Sequence, residues 1–72
     1  SSRRPKRLTE PRQIAMYLCR KHTGSSYPEL GDRFGGKDHS TVIHAVQKIT
    51  SRLAYDPLLQ QHIESLSKRL PI

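Results

Sequence analysis

The 72-residue chain is long enough for one domain and too short for two, and a fold of that size buries only about 60% of the surface its unfolded form exposes. Hydrophobic residues make up 33% of it, with no tryptophan and one phenylalanine, a supply that suits a thin core built from locally packed helices. Thirteen Lys and Arg against six Asp and Glu give a formal charge of +7 and point to a polyanionic partner, while the lone Cys19 excludes an internal disulfide framework and a cysteine-based zinc site.

Residues 1–8, SSRRPKRL, hold four of the thirteen basic residues and no periodic apolar pattern. They read either as a solvated linker or as a flexible basic arm that contacts nucleic acid. Ser1-Ser2 reads as a cut through a longer protein, and no apolar stretch resembles a signal peptide or a membrane span. The folded domain is expected over 9–72.

Thr9 is placed to cap a first helix, with Pro11 in its first turn and Ile14, Tyr17 and Leu18 at helical spacing through about His22. Thr23-Gly24-Ser25 end that helix. Ser26 and Glu29 then have capping-box spacing, which predicts a short second helix with Leu30 and Phe34 on its inner face, closed by Gly35-Gly36. Asp38 is a good N-cap for a third and longest helix, whose Val42, Val46, Ile49 and Leu53 form one narrow stripe and whose other side carries Ser40, His44, Gln47 and Ser51. Asp56-Pro57 open a fourth helix with Leu58, Leu59, Ile63, Leu66 and Leu70 as its core stripe. No strand or repeat is signalled, so the fold class is all-α.

Two apparent chemical motifs fail on inspection. Gly31 to Asp38 nearly spells a phosphate-binding loop, but Asp38 replaces the magnesium-holding hydroxyl and no strand precedes the first glycine. His22, His39, His44 and His62 have no metal-ligand spacing, and Ser40 beside His39 lacks a third group to orient a base, so no enzyme is expected.

What remains is two helices joined by a tight turn, the second polar on its outer face and opened by Lys37-Asp38-His39-Ser40-Thr41. A helix fits the DNA major groove, its first residues approach base edges most closely, and its free N–H groups favour phosphate. Asp accepts from cytosine N4, and Ser or Thr serves base or backbone. A rival reading is a basic helical module that docks on anionic membrane or a protein partner, with the fourth helix lying on lipid through Leu58, Leu59, Ile63 and Leu66.

Gly35-Gly36-Lys37-Asp38-His39-Ser40-Thr41-Val42-Ile43-His44-Ala45 resembles the signature of the C-terminal domain of the bacterial replication initiator DnaA. The stretches Pro11 to Leu18 and Ser26 to Gly31 are similar to further elements of that domain in order and spacing, and the likeness runs from about Arg3 to Ile49. The resemblance implies a Trp-repressor-like helix-turn-helix that binds double-stranded DNA at DnaA boxes, one domain per box, in the bacterial cytoplasm at the nucleoid. It implies no cofactor, small-molecule ligand or membrane partner for this stretch, and an ATPase module elsewhere in the parent protein. Carried over by position, Asp38, His39, Thr41 and Ala45 become base contacts, Tyr27 and Pro28 face thymine methyls, and Arg4 enters the minor groove from the basic arm. Arg12, Gln13, Arg20, Lys37, Ser40 and Lys48 become phosphate or nearby positioning contacts. Tyr27 stands where the family often has leucine.

Overall fold

In the computed structural model, which describes the backbone of residues 3–69 and the side chains of residues 11–69, four helices follow one another: α1 (Arg3–Thr23), α2 (Tyr27–Arg33), α3 (His39–Leu53) and α4 (Pro57–Arg69). No strand occurs among the described residues. The first helix corrects an expectation. It begins at Arg3 rather than after Thr9, and Pro11 lies inside it. Pro5 falls in the first turn, where a missing N–H has no intrahelical partner to lose, and Pro11 costs one bond in a helix whose following residues are anchored by burial. Residues 3–8 are therefore helical backbone, and the contact expected of Arg4 lies outside the described side chains.

The turn after α1 is built from short side chains. Gly24 takes φ 67° and donates its N–H to the Arg20 carbonyl at 3.2 Å. The Thr23 hydroxyl donates to the Cys19 carbonyl at 2.6 Å and lies 2.6 Å from the buried Ser25 hydroxyl. Ser26 then caps α2 in a complete capping box: Glu29 N–H donates to Ser26 Oγ at 3.2 Å, and Ser26 N–H donates to Glu29 Oε1 at 2.8 Å. Those bonds, led by the Ser26 N–H, hold the Glu29 carboxyl below the usual carboxylate range, so this support is present at neutral pH and is lost only as acid titrates Glu29 through its lowered pKa.

From α2 the chain passes through Gly35 (φ 89°) and Gly36 (φ 72°), left-handed conformations that glycine adopts at little cost. The Lys37 N–H donates to the Gly31 carbonyl at 2.8 Å and ties the end of the turn back onto α2. Gly31 is buried against the Lys37 backbone, where a Cβ would collide with the Lys37 carbonyl oxygen. The residue that first resembled part of a phosphate loop is thus a packing glycine inside a helix.

Asp38 occupies the N-cap of α3, but its carboxylate makes no capping bond. Only its carbonyl is engaged, accepting from Thr41 N–H at 3.1 Å and Val42 N–H at 3.3 Å. The sequence gives the correct cap position and the wrong bond. At α4 both are as expected: Asp56 Oδ1 accepts from Leu59 N–H at 3.1 Å, Oδ2 accepts from Arg52 at 2.9 Å, and Pro57 is the first helical residue. The Arg52 guanidinium is the first cause of a lowered Asp56 pKa.

The interior has two parts. Ile14, Leu18, Ile49, Leu59 and Ile63 pack together between α1, α3 and α4, while Met16, Leu30, Val42, Ala45 and Val46 pack between α1, α2 and α3. Tyr17 packs against both groups. Leu30, Val42 and Ile49 are fully buried. Two members of the expected core differ: Leu58 is 77% exposed, because it sits one residue before Leu59, which faces inward, and Leu70 lies outside the described residues.

Candidate nucleic-acid interface

Burial of Val42, Ala45, Val46 and Ile49 fixes the rotation of α3, and what it turns outward is polar: His39, Ser40, Thr41, His44, Gln47, Lys48 and Ser51 are all exposed. At the head of the helix Lys37, Asp38, His39, Ser40 and Thr41 form an unbroken exposed run. Because no side chain caps α3 and the Asp38 carbonyl takes the Thr41 N–H, the His39 and Ser40 N–H groups are left to a ligand or to water, beside a free carboxylate and a lysine. Small side chains at Ser40 and Thr41 allow close approach to this end.

Behind the run, the Lys37 to Gly31 bond holds the head of α3 against α2. The head of α2 presents exposed Pro28 and half-buried Tyr27. Lys48 is exposed farther along the outer face of α3, and Arg12 is exposed on α1; neither has a partner among the described residues. Gln13 is half-buried, with its Oε1 buried and unpartnered among the described residues.

Ala45 corrects the sequence-based assignment. It is 2% exposed and packs with Met16, Leu30, Val42 and Val46, so it has no surface to offer a groove. At about 100° per residue it lies about 60° from Val42 on the helix, within the inward arc. The family resemblance implied a contact with the groove, and the position of the buried stripe puts the side chain inside.

Arg20 is half-buried and already engaged. Its Nη1 donates to the Ser25 carbonyl at 2.7 Å, and its guanidinium lies 4.4 Å from the centre of the Tyr27 ring. Sequence reasoning missed this pair, since helical periodicity does not relate residues across a turn. It also missed His22 Nε2 and Ser67 Oγ, 3.0 Å apart between α1 and α4.

Among the described residues no group of three or more His, Cys, Asp or Glu assembles that could hold a metal ion, and no helix is long and apolar enough to cross a membrane. What the outer face of α3 displays is donors, acceptors and cations.

Comparison with known proteins agrees with this arrangement. A family model described as "Bacterial dnaA protein helix-turn-helix" matches residues 1–49, which contain α1, α2 and α3 through Ile49. The chain is 51% identical over 70 residues to the chromosomal replication initiator protein DnaA of Geobacter sp. strain M21, covering 97% of the chain and 15% of that relative. It is 54% identical over 70 residues to the DnaA proteins of Geobacter sulfurreducens and Geobacter metallireducens, covering 97% of the chain and 16% of each. The chain therefore spans about one sixth of the length of the curated relatives it matches.

Proposed function

The chain belongs to the bacterial DnaA helix-turn-helix family, and on that footing we propose that it binds double-stranded DNA in a sequence-specific way, reading DnaA boxes at a replication origin. The observation that carries this reading is the exposed run from Lys37 to Thr41 at the head of α3, which no side chain caps. In the proposal α3 enters the major groove head first. Asp38, His39 and Thr41 meet base edges, Tyr27 and Pro28 approach thymine methyls from the head of α2, and Arg4 reaches the minor groove. Arg12, Gln13, Lys37, Ser40 and Lys48 hold the sugar-phosphate rails. One domain occupies one box, in the bacterial nucleoid, and delivers an ATPase-bearing initiator to the origin.

The alternative in which α4 lies on a lipid surface loses its support. Leu59 and Ile63 are each 5% exposed and Leu66 is half-buried, so of the stripe that would insert into lipid all but Leu58, 77% exposed, already packs in the core.

Competition binding with a DnaA-box duplex and a scrambled duplex at two salt concentrations tests the proposal directly. Wild-type protein is expected to prefer the box at both, and equal binding to the two duplexes would refute it. Lys48→Ala is expected to weaken both duplexes alike and to make the slope of log K against log salt shallower by about 0.9, the loss of one neutralised phosphate. A loss confined to the box would instead make Lys48 a base reader.

Asp38→Asn separates stability from recognition. With no capping bond to lose, the variant is expected to melt within about 0.5 kcal/mol of wild type. A carboxylate that accepts from cytosine N4 is worth about 1–3 kcal/mol of discrimination, so preference for the box should fall at least fivefold. A lowered melting point with preference intact would contradict this assignment.

A further inference from the structure

Arg20 and Tyr27 belong to different helices, yet they form one unit with the turn between them. The guanidinium donates to the Ser25 carbonyl at 2.7 Å while its Cζ lies over the Tyr27 ring, 4.4 Å from the centroid. Ser25 is itself buried and is held from the other side, with its N–H donating to the Thr23 hydroxyl at 3.2 Å. Tyr27 directly follows the cap residue Ser26 and also packs against the core group containing Leu30 and Val42. Its ring is therefore held between the protein interior and a cation.

Arg12, Lys37 and Lys48 differ from Arg20 in each respect: they are exposed and have no partner among the described residues. A guanidinium that is half-buried and already spends one donor and one face on its own chain is poorly disposed to follow a mobile phosphate. We propose that Arg20 is a positioning residue for the DNA-facing surface, which fixes the Tyr27 ring at the head of α2, and is not a free phosphate ligand. This inference rests on the DNA-binding reading given above. It depends on shape as well as charge: lysine could still donate to Ser25, but it has no flat delocalised face to lay on the ring.

Arg20→Lys is the discriminating variant because it keeps the charge and removes the plane. Binding to box and scrambled duplexes across a salt series is the readout, with thermal melts to establish that each variant is folded. Arg20→Lys and Arg20→Ala are expected to lose about three- to tenfold in box affinity, the scale of a single cation–π contact. For Arg20→Lys, scrambled-duplex binding and the salt slope should stay at wild-type values. Tyr27→Leu should match Arg20→Lys, and combining the two should add nothing further.

Wild-type box binding by Arg20→Lys, together with an equal loss on both duplexes and a slope shallower by about 0.9 for Arg20→Ala, would overturn the proposal in favour of a phosphate contact. The clamp is also read without DNA. In the free protein the Arg20 side-chain protons should be shifted upfield by the Tyr27 ring and should return to ordinary positions in Tyr27→Leu; the absence of that shift in wild type overturns the clamp. If wild type shows no preference for the box, the functional reading fails, whatever the resonances of Arg20 show.

Discussion

His39→Ala is expected to bind a DnaA-box duplex little better than a scrambled one while retaining its affinity for DNA in general. His39 is the first residue of α3, is exposed, and stands between Asp38 and Ser40 in the part of a recognition helix that approaches base edges most closely. The imidazole offers a hydrogen bond and a flat surface to a base, whereas the flanking cations remain to grip the phosphates. Since a good base contact is worth about 1–3 kcal/mol, the ratio of box to scrambled affinity should fall by roughly five- to 150-fold. Competition titration at fixed salt measures that ratio. Equal losses on both duplexes would remove His39 from the readout and move it to general affinity. The substitution lies at an exposed helix start with no core contact, so melting should change little and any loss of preference can be attributed to the interface.

Gly31→Ala is expected to have the largest effect on stability, although it adds a single methyl group. The new Cβ would meet the Lys37 carbonyl oxygen, which is backbone and has no rotamer by which to escape. Either α2 moves away from the turn or the Lys37 to Gly31 hydrogen bond is given up. Overpacking of this kind costs about 1–3 kcal/mol, a large part of the stability of so small a domain. Urea unfolding gives the number, and a change of less than about 0.5 kcal/mol would show that the approach of the two backbones is not tight in solution. By contrast, Gly35 and Gly36 face open space, and there the constraint is the positive φ.

The parts of the fold that were legible in the sequence are those decided within one helical turn. The Ser26 and Glu29 capping box and the Asp56-Pro57 start of α4 follow from spacing alone, and both are present with their bonds. The stripe of Val42, Val46 and Ile49 was legible for the same reason, and it fixes which side of α3 faces out. Features set by several elements together were not. Pro11 reads as the beginning of a helix, yet backbone upstream of it is helical as well. Ala45 is small enough to sit on either side of a helix, and only the packing of α1 and α2 puts it inside. Leu58 shares its composition with Leu59 but stands about 100° round the helix from it and is exposed. The Arg20 and Tyr27 stack and the His22 and Ser67 contact join residues with no periodic relation, so nothing local announces them.

The division of the interior into two groups that meet at Tyr17 has a mechanical consequence. α2 rests on one group and α4 on the other, so a disturbance beneath α4 reaches the α2 side by side-chain contact through Tyr17. Its other path is the backbone of α1 and α3, which contribute residues to both groups. Softening of the α4 side would thus reach the residues at the far end through these shared elements.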